Sequence, residues 1–412
     1  MPLIKDNKRK HHSTFRCTGA ENDIESWQDR LCIFNDICYN NDAQRFEYYP
    51  LFLKEKRPIF YDANYGMLFQ FGMKNDGSGF LSLSSGGGQS WAPVIINETY
   101  PVRNMTRLSR LHTIWADALG ASNIGHGLWE DLGSISYSME RLNEFDPQLV
   151  IMHKNKIPET AIFRSYQQYI IPALTETPMV EFGTYIRSFK TKFVCFEKVF
   201  AGGQLSVFKP SIIKENHGRE PLFYNWRSKI ISKNGFDPEF IPNKHKIVIT
   251  NKSYSQWTNP ASNRHRAIAN LKEVVNFIRK SYPTIDTEVV EWQNIPFNKQ
   301  IEKLLITTIL ITPCGGVSLI IPLLPRFAHA IVMDYYATHD HYGFKRGQSA
   351  SMEGAFLNHF PHVRKHYYQV YGSQDFEFDF PGAKDTRNDA SIIVNTTRLQ
   401  LLIDTALEDM HP

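Results

Sequence analysis

The sequence lacks any run of about 18 apolar residues, so no segment reads as a membrane span. Its first residues, Met1-Pro2-Leu3-Ile4-Lys5, contain no apolar stretch of the kind that directs secretion, and no signal peptide is expected. Charge of one sign is scarce: Lys+Arg 46 against Asp+Glu 42 leaves +4, too little to argue for a nucleic-acid partner. Only five cysteines occur: Cys17, Cys32, Cys38, Cys195 and Cys314. An odd, sparse set suits a reducing compartment, although Cys32 and Cys38 are near enough in sequence to close a short-loop disulfide in a lumenal protein. The Gly-x-Gly-x-x-Gly fingerprint is missing, which argues against an NAD-dependent oxidoreductase. The Gly/Ser stretch Gly77–Ser90 lacks the Gly-Lys-Ser/Thr ending of a phosphate loop and reads as a plain loop. No convincing Asp-x-Asp offers itself to a nucleotide-bound divalent ion, because Asp375–Asp379 lies in a late, loop-like region.

What remains is an ordinary globular composition, 42% hydrophobic over 412 residues, enough for two domains. Residues 1–25 read as a flexible tail, basic from Lys5 to His12. From Trp27 to about Asn104 the chain is aromatic-rich and irregular, with short strand-like runs at Arg45–Tyr49 and Pro58–Tyr61. Leu128, Leu132, Ile135, Met139 and Leu142 then recur at helical spacing. Leu149–Met152 and Phe193–Phe196 read as buried strands, with a helix near Ile162–Leu174 between them. Cys195 sits within an apolar strand and reads as core. After the Pro/Asn/Lys-rich segment Lys233–Lys246 comes a clearer alternation. Strands are expected at Lys246–Thr250, Asp286–Trp292, Ile309–Thr312 and His329–Tyr336, and helices at Asn263–Tyr282, Phe297–Ile306 and Val317–Leu324. Strand–helix alternation of this kind specifies a parallel, Rossmann-like sheet. A last amphipathic helix, Thr397–Met410, has to pack against something. Four Asn-x-Ser/Thr sequons begin at Asn97, Asn104, Asn251 and Asn395; the motif arises by chance often enough that sequence alone selects none.

The segment Ile309–Pro325 concentrates the chemistry. A hydrophobic strand ends at Pro313, Cys314-Gly315-Gly316 follow, and a helix begins. Glycines let the backbone approach a ligand, and a helix start presents free N–H groups to an anion such as a diphosphate. In the helix from His126, His126 and Glu130 are four residues apart and share a face opposite the apolar stripe, while Asp131 lies nearer the stripe's edge. His359, His362 and His366 read as a surface cluster, with His362 and His366 on one helical face, and no metal is expected.

Four segments together resemble glycosyltransferase family 61 over about Cys32 to Val370. They are Arg30–Tyr39, Asn123–Asp131, Arg266–Asn270, and Cys314-Gly315-Gly316 with Leu323-Leu324-Pro325. The last is spaced like the family's His-Gly-Ala … Phe-Leu-Pro signature. The chain departs from the family where Cys314 replaces that histidine, where Asn251-Lys252 replace an arginine, and where Glu130 replaces an aspartate. The resemblance implies an α/β fold of GT-B type, with two Rossmann-like domains facing a cleft and an N-terminal irregular or β extension. The expected limits are 26–238 for the acceptor-side domain, 239–390 for the nucleotide-sugar domain and 391–412 for a terminal helix packing back across both.

The function implied is inverting, metal-independent transfer of a sugar, xylose or N-acetylglucosamine, from a UDP-sugar to a hydroxyl of a glycan or glycoprotein. The alternative is a non-catalytic, sugar- or nucleotide-binding relative acting as an interaction protein. Glu130 is the expected base, with His126 and Asp131 beside it. Lys252, Arg266, Asn270, Cys314, Gly315, Gly316, Ser318, Asp334 and Glu353 are the expected donor-binding set. No cofactor is implied, since the UDP-sugar is a substrate. As the chain stands the expected location is cytoplasmic, or the Golgi or ER lumen if an anchor has been removed.

Overall fold

A computed structural model describes residues 11–17, 31–51, 59–62, 67–70, 81, 83–84, 93–116, 123–202, 220–252, 266–334, 356–379, 381–384 and 389–410. The chain divides into two compact units, Met1–Ser206 and Val207–Pro412. The boundary falls earlier than the expected 238/239, so the helix Glu220–Lys233 belongs to the second unit.

Among the described residues the first unit contains eleven strands: β1 Thr14–Cys17, β2 Leu31–Asn40, β3 Arg45–Tyr48, β4 Ile59–Asp62, β5 Met67–Gln70, β6 Leu83–Ser84, β7 Val94–Ile95, β8 Met105–Ala116, β9 Val150–His153, β10 Val180–Glu181 and β11 Phe193–Gly202. β4 and β5 form a separate antiparallel pair. The others make one nine-stranded sheet in the order β10-β9-β8-β6-β11-β2-β3-β7, with β1 also on β2. Its β8–β11 side is parallel, whereas β2 runs antiparallel to β11 and carries β1 and β3 antiparallel in turn. The aromatic-rich N-terminal region therefore extends this same sheet. Thr14–Cys17, inside the expected tail, is an ordered strand because Cys17 lies opposite Cys32 and is disulfide-bonded to it. A second bridge joins the cross-strand pair Cys38 and Cys195. The Cys32–Cys38 bridge left open by the sequence does not form: the two lie six residues apart on one extended strand, roughly 20 Å, and each bonds instead to the cysteine opposite it on a neighbouring strand. Cys195 is buried as expected, but within a bridge, and only Cys314 stays outside a disulfide. Most of the Gly77–Ser90 stretch lies outside the described residues, although Leu83–Ser84 is a strand.

Among the described residues three α-helices pack on this sheet: α1 Leu132–Leu142 against β2, α2 Ala161–Ser165 with Phe163 stacked on Trp115 of β8, and α3 Phe182–Ser188 against β9 and β10. α1 ends at Asn143, whose left-handed φ of 53° stops it. Thr160 caps α2 by accepting the Phe163 N–H at 3.2 Å.

The second unit is built on five parallel strands: β12 Lys246–Thr250, β13 Asp286–Val290, β14 Ile309–Pro313, β15 His329–Asp334 and β16 Arg364–Gln369, in the order β13-β12-β14-β15-β16. β12 and β14 are near-continuous apolar runs because both their faces are buried. The helices are α4 Glu220–Lys233, α5 Leu271–Ser281, α6 Phe297–Leu305 and α7 Thr396–Asp409, and a 3-10 segment spans Gly316–Leu323. α5 buries Val274, Val275 and Ile278, the stripe its spacing predicts. It starts eight residues later than expected, because the backbone from Arg266 to Ala269 instead pairs with the strand β18, Ala390–Ile392, whose antiparallel partner is β17, Phe376–Phe378. The terminal helix α7 packs on β15 and β16 of its own unit, with Asp404 accepting the Tyr282 hydroxyl proton at 2.6 Å and Asp409 pairing with Arg364 at 2.7 Å.

Candidate functional site

In the second unit the carboxyl ends of the parallel strands bring Lys252, Cys314, Gly315 and the last residue of β15, Asp334, to one edge of the sheet. The chain leaves β14 through Cys314, whose N–H donates to Met333 O at 3.1 Å. Gly315 has φ 112° and ψ −166°, a conformation open essentially to glycine alone. Ser318 closes the turn by donating both its N–H and its hydroxyl to Gly315 O, at 2.9 and 2.7 Å. Its hydroxyl is therefore committed to the backbone, and the side chain is fully buried.

Arg266 completes this edge. Its backbone is left-handed, φ 51°, and its N–H donates to Ala390 O at 2.9 Å. A Cβ built on Gly315 would lie 3.0 Å from the Arg266 Cζ, so the guanidinium rests directly over the glycine. Among the described residues Arg266 has no ion-pair partner, and its buried Nε has no hydrogen-bond partner. A permanently charged fork beside a glycine turn, at the start of a helical segment, is equipped to receive an anion. Asn270 serves the backbone instead. Its Oδ1 accepts the Val394 N–H at 2.8 Å and its Nδ2 donates to Val394 O at 2.9 Å, which ties down the segment that holds Arg266. Lys252 is half-buried at the end of β12. Glu353 lies outside the described residues.

Arg227, on α4, escapes the sequence reading. It is fully buried, and donates from Nε to Pro322 O, from Nη2 to Leu324 O and from Nη1 to Pro238 O, at 2.8, 2.8 and 2.9 Å. Burial lowers its pKa to about 10, so it stays charged at neutral pH while pinning the far end of the Gly316–Leu323 segment. Its signal in the sequence is a cation on the apolar stripe Phe223, Arg227, Ile230, Ile231. The expected histidine cluster dissolves. His359 is buried against Phe223, His362 donates from Nε2 to Pro322 O at 3.0 Å, and His366 bonds His329 at 2.8 Å. His366 is in β16, so it shares no helical face with His362.

In the first unit, His126–Asp131 forms a π-helical turn that runs into α1. Asn123 starts it: its Oδ1 accepts the Gly125 N–H at 3.0 Å and its carbonyl the Gly127 N–H at 3.1 Å. Gly127 admits the Tyr166 hydroxyl into the space that a Cβ would fill. His126 Nδ1 lies 2.5 Å from Glu130 Oε2, with side-chain exposures of 18% and 6%. The sequence spacing puts Glu130 on the face opposite the apolar stripe, and in the fold that face is enclosed as well. The turn is wound wider than an α-helix and buried almost all round, so the carboxylate is enclosed and the imidazole is the more exposed member of the pair. Asp131 is buried next to it.

An all-parallel sheet with a diglycine turn and an arginine at its carboxyl edge is a Rossmann-like ligand-binding architecture. The family model described as Glycosyltransferase 61 matches residues 131–333, a span that takes in Asp131, Arg266 and Cys314–Gly316. Over that span, just under half of its length, the chain is similar to the glycosyltransferase 61 family, and that similarity implies a sugar donor and a glycan acceptor. No curated protein matches the chain. No helix among the described residues is long and apolar enough to cross a membrane.

Proposed function

We propose that the chain is an inverting, metal-independent glycosyltransferase of GT-B type that moves xylose or N-acetylglucosamine from a UDP-sugar to a hydroxyl of a glycan or glycoprotein. The observation that carries this reading is the Arg266 guanidinium lying over Gly315 with no acidic partner among the described residues. In an inverting displacement the acceptor oxygen attacks the anomeric carbon as the bond to the diphosphate breaks, and the negative charge that builds on the leaving group has to be met. Arg266 meets it, with the first amides of the Gly316–Leu323 segment, and Lys252 adds a point charge.

The acceptor proton goes to the His126–Glu130 pair. With Glu130 accepting from Nδ1–H, the Nε2 lone pair of His126 is the base and Glu130 orients it, so the base role expected of Glu130 moves to its neighbour. Asp131 is a structural partner. The two disulfides favour an oxidising compartment over the cytoplasm. One feature favours a binding protein without turnover: Cys314, 3% exposed, is a much weaker donor than the family's histidine.

UDP release across a panel of UDP-sugars with glycan acceptors tests the reading. Turnover with UDP-xylose or UDP-N-acetylglucosamine is expected, and UDP binding without turnover on any donor supports the alternative. His126→Ala is expected to lose roughly 100- to 10,000-fold in kcat and Glu130→Gln distinctly less. The reverse order returns the base to Glu130.

A further inference from the structure

Four sequons are indistinguishable in sequence, but the structure separates them. Asn251 is half-buried at the carboxyl edge of β12, and its Ser253 lies outside the described residues. Asn104 is held by its Oδ1, which accepts the Lys192 N–H at 3.2 Å, and Thr106 bonds Thr191. Asn395 caps α7 through its Oδ1. Asn97 differs: Asn97, Glu98 and Thr99 are all exposed, and the Asn97 side chain makes no hydrogen bond to a described residue.

The loop that carries Asn97 is nevertheless held firmly at both ends. On one side β7 pairs with Glu47 and Tyr48, and Ile96 N–H donates to Tyr48 O at 2.9 Å. On the other, Tyr100 is 7% exposed and packs edge-on against Tyr49 at 5.5 Å, in the apolar cluster that contains Cys38 and Cys195. The exposed sequon is thus followed directly by a residue anchored in the cluster that holds the Cys38–Cys195 disulfide, a kind of bond that persists in oxidising compartments.

We propose that Asn97 is the attachment site of an N-linked glycan, donated by a lipid-linked oligosaccharide diphosphate. The Asn97 Nδ2 attacks C1 of the reducing-end sugar. The new C–N bond replaces the C–O bond to diphosphate, the lipid diphosphate leaves, and one amide proton passes to the base of the transferring enzyme. The glycan sits just past β7, a two-residue strand at the end of the nine-stranded sheet, farthest from β10. Among the described residues β7 is a terminal strand of that sheet, and a glycan beside it would hinder pairing with another chain. This proposal is independent of the transferase reading.

The test uses the full chain isolated from its own cells. Peptide N-glycosidase treatment in heavy-oxygen water, followed by peptide mapping, is expected to convert residue 97 to labelled aspartate. In the same cells, Asn97→Gln and Thr99→Ala should each lose one glycan-sized increment of mass. Thr99→Ala keeps the asparagine, so it guards against a misfolded Asn97→Gln. An unlabelled residue 97, or an unchanged mass in Thr99→Ala, overturns the proposal.

Discussion

Replacing Gly315 by alanine tests the link between backbone and anion site. The residue holds φ 112° and ψ −166°, where an L side chain is strained by roughly 1–3 kcal/mol. The added methyl would also lie 3.0 Å from the Arg266 Cζ and push the guanidinium off the turn. If that guanidinium holds the diphosphate of UDP, its displacement costs about 1.5–3 kcal/mol, the range for hydrogen bonds to charged groups, or roughly a 10- to 150-fold loss of UDP affinity. Arg266→Ala should lose as much affinity and far less stability, because the backbone bond to Ala390 O survives. In the double variant the two affinity losses should not add, since both act through one guanidinium. Isothermal titration calorimetry with UDP and chemical unfolding of all four proteins measure the terms. Wild-type UDP affinity in Gly315→Ala, or fully additive losses, refutes the reasoning.

Acid should destabilise the first unit through His112, which is 1% exposed and whose pKa burial pushes down from 6.5 to about 4. Above pH 6.5 both states are neutral. As pH falls from there towards 4 the unfolded chain takes up a proton that the folded one refuses, so stability drops by up to ~3 kcal/mol. Urea unfolding at the two ends of that window should show a smaller loss in His112→Gln, and equal losses would count against the burial argument. Opening the Cys38–Cys195 bridge, which spans 157 residues, should cost about 5 kcal/mol on the chain-entropy account. A Cys38→Ser/Cys195→Ser protein as stable as wild type would contradict it. Arg227→Met strands two buried carbonyls and one part-buried one and should cost roughly 3 kcal/mol, with Arg227→Lys intermediate. Denaturant midpoints decide both, and an unaltered midpoint in Arg227→Met would show that the clamp adds nothing.

The second sheet is legible in the sequence because its strands are buried on both faces and its helices are not. Lys246–Thr250 and Ile309–Pro313 read as apolar runs, Leu271–Ser281 and Phe297–Leu305 as stripes, and each periodicity survives in the fold. The errors fall where a distant segment overrules local preference. Arg266–Asn270 has helical spacing, yet β18, more than a hundred residues further on, takes its backbone hydrogen bonds. The ordered strand at Thr14–Cys17 depends likewise on β2, and the disulfides depend on which residues a nine-stranded sheet sets opposite one another. None of these partners lies within reach of a local pattern.

The candidate site is legible in its parts and not in its couplings. His126 and Glu130 stand out by their spacing, but α-helical winding would only aim them away from the apolar stripe. The π-helical turn encloses Glu130 and leaves the imidazole the more exposed of the two. On the donor side, the loss of a histidine at Cys314 looks like a defect when the motif is read alone. In the fold, Arg266 reaches the same turn from the loop before α5, and glycine at 315 is what lets its guanidinium settle there. Arg266 belongs to a segment that itself resembles the family pattern, so it brings a cation to this turn whichever residue stands at 314. For that reason the glycosyltransferase reading rests on Arg266 rather than on residue 314, and Cys314→His should alter UDP affinity far less than Arg266→Ala.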